Sequence, residues 1–83
     1  MSLKRSRGQI IAQILALCQE EGAIKTRVVY QVNLNFGTVN TYLNQLQKKE
    51  LLEAVHGNNI LYKTTPAGEK ALKTLLDAEA IYS

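Results

Sequence analysis

Apolar residues recur at three- and four-residue intervals from about Ser6 to Glu21, as Ile10, Ile11, Ile14, Leu15, Leu17 and Cys18. This spacing predicts a helix buried along a broad stripe. Ser6 with Gln9 three residues later has the form of a capping box, and Gly22 behind Glu20 and Glu21 marks a stop. A second, shorter helix is predicted to start at Thr26 as cap and to carry Val28, Val29 and Val32 inward until Asn33 breaks it. Three β-branched valines make it weak alone, so packing has to hold it. Asn33 to Gly37 is a short turn with Leu34 and Phe36 as apolar anchors, and a third helix follows from about Phe36 to Lys49. Val39, Tyr42, Leu43 and Leu46 share one of its faces. The opposite face collects Gly37, Asn40, Thr41, Asn44, Gln45 and Lys48, polar and almost uncharged.

After Leu51 the period changes. Leu52 to Val55 and Ile60 to Thr64 are short β-prone runs separated by His56, Gly57, Asn58 and Asn59, which is a hairpin signal. Gly57, Asn58 and Asn59 all tolerate positive φ, so the turn can be tight. A last helix, about residues 66–82, takes Thr65 as cap and Pro66 at its first position, then presents Ala71, Leu72, Leu75, Leu76, Ile81 and Tyr82. The order is α-α-α-β-β-α: a mainly α chain with one small hairpin, read as a single domain over residues 1–83.

Composition narrows the classes. With 83 residues, a compact unit buries only around two-thirds of its unfolded-chain surface, so a partner chain is a natural supplement to the core. One cysteine and one histidine give no disulfide and no metal cluster, and a reducing compartment follows. Cys18, on the apolar stripe, reads as a small buried hydrophobe, and His56 as an exposed turn residue. No apolar run reaches the roughly 18 residues of a membrane span. No nucleophile and base pair, phosphate-cradling glycine loop or carboxylate pair appears, so no enzyme, cofactor or metal is expected, and no small-molecule ligand is evident. The net charge of +3 is unevenly spread. Lys4, Arg5, Arg7, Lys25, Arg27, Lys48 and Lys49 against Glu20 and Glu21 leave residues 1–49 at +5, and residues 50–83 carry −2.

Two short helices joined by a tight turn, the second with a small polar outer face, meet the needs of a helix-turn-helix entering a major groove, and a hairpin directly behind them is a wing. Asn40, Thr41, Asn44 and Gln45 are the candidate base contacts. Asn and Gln can pair bidentately with adenine edges, and the absence of arginine on this helix removes the commonest guanine contact, so modest or A·T-leaning selectivity is expected. Arg5, Arg7, Lys25, Arg27, Tyr30, Lys48 and Lys63 are candidate phosphate contacts, and the wing tip, His56, Gly57, Asn58 and Asn59, carries no lysine or arginine. Leu72, Leu75, Leu76 and Ile81 exceed what one thin domain needs to cover, which predicts a homodimer through the last helix.

The stretch from Lys25, Thr26, Arg27, Val28, Val29 and Tyr30 through Leu43, then Leu46, Glu50, Leu51 and Leu52, and the segment Tyr62, Lys63, Thr64, Thr65, Pro66, Ala67, Gly68 resemble the small archaeal winged-helix transcriptional regulators. The likeness covers about residues 7 to 76. It implies a helix-turn-helix between Lys25 and Leu43, a first wing strand entered through Leu51 and Leu52, a Thr-rich segment ending at Gly68 that leads from the second strand into the last helix, double-stranded DNA as partner, and a cytoplasmic, nucleoid-associated protein. Family members often extend the final helix into a coiled coil that makes the dimer. The competing expectation is a winged-helix module that docks another protein in a larger assembly.

Overall fold

The computed structural model describes residues 5–82, with side chains to residue 78. Its order is α1 (Arg7–Leu17), α2 (Lys25–Val32), α3 (Phe36–Lys48), β1 (Leu52–His56), β2 (Ile60–Thr64) and α4 (Pro66–Tyr82). The expected α-α-α-β-β-α arrangement is the one found.

The capping box at α1 forms as its spacing requires: Gln9 N donates to Ser6 Oγ at 3.1 Å and Ser6 N to Gln9 Oε1 at 2.7 Å. The helix stops earlier than periodicity predicts, at Leu17 rather than Glu21, because the next residues serve the wing. Glu20 and Gly22 take φ of 60° and 83°. That turn delivers Ala23 to β2, where it exchanges hydrogen bonds with Tyr62 at 3.0 and 2.8 Å. A Cβ on Gly22 would stand 2.6 Å from Lys63 Cγ and 2.9 Å from Tyr62 O, so the close approach itself demands glycine.

The start of α2 also departs from expectation. Ile24, leaving the Ala23 pairing with extended backbone, occupies the cap position with no side-chain hydrogen bond, and Thr26 lies inside the helix. Asn33 ends it with φ 56°, as its tolerance of the left-handed region allows. Asn35 caps α3 by accepting from Thr38 N at 2.8 Å.

In the hairpin, β1 and β2 pair antiparallel from Leu52 opposite Thr64 to His56 opposite Ile60. The connection is Gly57, Asn58 and Asn59, none of which adopts the positive φ that their types permit. Thr65 then caps α4 as predicted, accepting from Gly68 N at 3.0 Å and donating its own hydroxyl to Glu50 O at 2.7 Å.

One core joins these elements. Ile14, Leu15, Cys18, Val28, Val32, Val39 and Leu43 are fully buried, with Leu46, Leu52, Tyr62 and Leu72 closing its edges. Burial pushes the Cys18 thiol up to about 11, against the opposing pull of Arg27, so it stays protonated at neutral pH. It is core, as read from the sequence.

Candidate nucleic-acid interface

The 3.6-residue repeat sorts the polar side of α3 more finely than one face. Gly37, Thr41, Asn44 and Lys48, spaced by four, three and four residues, form an exposed line, while Asn40 and Gln45 lie on its two shoulders, half-buried. No acidic residue occurs anywhere on α3.

Each shoulder amide is held by a cation from another element. Lys25 Nζ donates to Asn40 Oδ1 at 2.6 Å and also stands 5.2 Å from the Phe36 ring centroid and 6.0 Å from that of Tyr62. On the other side the Arg7 guanidinium donates to Gln45 Oε1 and lies 5.6 Å over the Tyr42 ring. Charge-assisted hydrogen bonds and ring faces fix both cations beside α3. On the exposed line, Thr41 Oγ1 donates back to Gly37 O at 3.1 Å, leaving the hydroxyl as an acceptor.

The remaining candidate cations are dispersed. Arg5, just ahead of α1, turns onto that helix, donating to Gln13 Oε1 at 2.6 Å, and lines a groove between α1 and Leu76. Arg27 shares a shallow cleft with Glu20 and Glu21, whose charges oppose its own. Lys63 stands at the wing root directly across from Glu53. Tyr30 is 85% exposed, and Lys48 is exposed at the end of the α3 line. His56, Gly57, Asn58 and Asn59 form an exposed tip.

Of the four residues read as a dimer face, Leu72 belongs to the chain's own core at 5% exposure. Leu75 is half-buried in the cleft between α1, α3 and α4, and Leu76 is exposed. Ile81 lies outside the residues whose side chains are described. The excess of apolar residues that suggested a second chain is thus partly consumed within the first.

Sequence reasoning missed an apolar cluster beside Lys25. Ile24, Phe36 and Ile60 are all exposed and, with Asn59 and Tyr62, line a cleft of about 300 Å³ between α2, α3 and the wing. Phe36 was expected to anchor the turn. The signal was its place on the helical wheel, at the margin of the face shared by Val39, Leu43 and Leu46 rather than inside it. Among the described residues no group of three or more His, Cys, Asp or Glu is placed to hold a metal, and no helix is long and apolar enough to cross a membrane.

Known proteins share this arrangement. A family model described as winged helix-turn-helix matches residues 4–82. An uncharacterized protein of the archaeon Methanocaldococcus jannaschii is 31% identical over 74 residues, 89% of this chain and 34% of that protein. The chain therefore spans about a third of that relative's length. Sso10a-2, a DNA-binding protein from Sulfolobus solfataricus, superposes with a TM-score of 0.85 at 28% identity, over 94% of this chain and 82% of its own. A MarR family transcriptional regulator of Silicibacter pomeroyi superposes at 0.71 with 13% identity, over 90% of this chain and 55% of its own, a likeness of fold.

Proposed function

The chain belongs to the winged helix-turn-helix family, and from that premise we propose that it is a DNA-binding transcription regulator, cytoplasmic and nucleoid-associated, that seats α3 in a major groove with the wing beside it. The observation that carries this reading is the exposed line Thr41, Asn44, Lys48, bracketed by Arg7 and Lys25 and free of carboxylates. A groove about 12 Å wide admits a helix with compact polar side chains, and the phosphates on its two rims meet cations already held in place. The likeness to Sso10a-2, described as DNA-binding, supports the same partner. Thr41, Asn44, Asn40 and Gln45 face the bases in this arrangement. Arg7, Lys25 and Lys48 are the principal phosphate contacts, and Arg5, Arg27, Tyr30 and Lys63 are peripheral. The wing tip, His56 to Asn59, touches DNA only through small polar groups.

The protein acts as a homodimer in this proposal, with exposed Leu76 and the end of α4 meeting a second copy, so that half-sites lie about one helical turn apart. The protein-docking alternative draws on the Ile24, Phe36 and Ile60 cluster, an apolar patch beside a cation.

Fluorescence anisotropy of labelled duplexes across a salt series tests the DNA reading. Log affinity is expected to fall linearly with log salt, and Lys48→Ala to reduce the slope by about one. Affinity that ignores salt, or no binding even at low salt, overturns it. Sedimentation of the free protein checks the dimer, with Leu76→Glu expected to shift it toward monomer.

A further inference from the structure

The three amides on the polar face of α3, Asn40, Asn44 and Gln45, differ in what they have left to offer a base. We infer that Asn44 alone of these three reads adenine by a two-point contact, and that Asn40 and Gln45, whose oxygens already face a cation, act as donors and do not select it. The inference rests on the proposed seating of α3 in the major groove.

An adenine edge presents an acceptor, N7, and a donor, the N6 amino group, so an amide reads it by giving from its NH2 and accepting on its oxygen together. Lysine and arginine are pure donors, so the amide groups facing Lys25 and Arg7 have to be the oxygens of Asn40 and Gln45. Those oxygens carry a charge-assisted hydrogen bond, and each cation is steadied by an aromatic face: Phe36 at 5.2 Å for Lys25, Tyr42 at 5.6 Å for Arg7. An N6–H approaching either oxygen meets an ammonium or guanidinium of the same sign as its own partial charge. Each shoulder therefore offers hydrogen-bond donors and positive charge, which suits acceptor-only partners such as guanine N7 and O6 or phosphate oxygens. On the exposed line, Thr41 has spent its proton on Gly37 O, and Lys48 can only donate. Asn44, exposed between them and without a side-chain partner among the described residues, keeps both halves of its amide. The A·T leaning expected from counting amides thus contracts to one base pair under the middle of the helix, with flanking positions that accept guanine.

Selection from a randomised duplex pool, followed by anisotropy on the selected site and its single-pair variants compared at each concentration of a salt series, tests this. The intact protein is expected to disfavour replacement of one A·T pair by roughly ten- to a hundredfold. Asn44→Ala should reduce that discrimination to within about twofold while its circular dichroism and salt slope stay unchanged. Asn40→Ala and Gln45→Ala should move all affinities together and keep the ranking. Discrimination surviving Asn44→Ala, or lost in Asn40→Ala or Gln45→Ala, overturns the assignment, as does salt-dependent binding by the intact protein with no A·T preference. Absence of binding to any duplex overturns the DNA reading itself.

Discussion

Cys18 shows how a single buried side chain ties stability to pH. Its thiol is raised from an ordinary 9.0 to about 11 because the core disfavours the thiolate. The fold therefore favours the protonated form. That contribution is fully present below pH 9 and is lost as the pH climbs through about 11, where the unfolded chain ionises more readily than the folded one. Chemical denaturation at a series of pH values is expected to show a falling midpoint over that interval, and Cys18→Ala to flatten the fall. An identical decline in both proteins would assign it to other groups. Cys18 was legible as core from the apolar stripe alone. Lys25 is not legible in the same way: the sequence presents a cation and nothing of the three separate neighbours that hold it, none closer than eleven residues in sequence. Periodicity describes a residue relative to its own helix and is silent about such partners.

At the level of elements, caps decided by local spacing were readable, and boundaries decided by distant strands were not. Ser6 with Gln9 and Thr65 with Pro66 formed as their order implies. The end of α1 and the start of α2 instead answer to Tyr62, some forty residues away, because pairing Ala23 with β2 needs a turn before it and extended backbone after it. Thr26 consequently caps nothing, and Asn35, whose side chain accepts from Thr38 N, does. Asn35→Ala is expected to cost about 1 kcal/mol of stability and Thr26→Ala less than about 0.5 kcal/mol, measured by thermal or urea unfolding. A larger loss at Thr26 would restore it as the cap.

Over the whole molecule, α4 is seated by one close approach. A Cβ on Gly68 would stand 2.1 Å from Leu51 O and 2.7 Å from Thr64 Cγ2, where the helix crosses the joint between α3 and β1. Gly68→Ala must push backbone apart and is expected to destabilise by roughly 1–3 kcal/mol. At Gly37, by contrast, an added Cβ meets only Asn35 Oδ1 at 3.5 Å, so Gly37→Ala should be neutral or stabilise by about 0.5 kcal/mol. Equal losses at the two glycines in urea unfolding would contradict the packing. The charge asymmetry visible in the sequence survives folding only in part: Arg7 and Lys25 gather at α3, while Arg5 and Arg27 turn to other surfaces. A net count of charges has no direction, and the fold supplies it. The root of the hairpin carries a consequence of its own. Thr64 donates its N–H to Cys18 O and its hydroxyl to Leu15 O, at 2.9 and 2.7 Å, and Tyr62 is tied to Ala23. Bolted to the end of α1 in this way, the wing is a prong of fixed reach. On the proposed footing it works as a ruler, and a site lengthened by one base pair between groove and prong would lose one of the two grips outright.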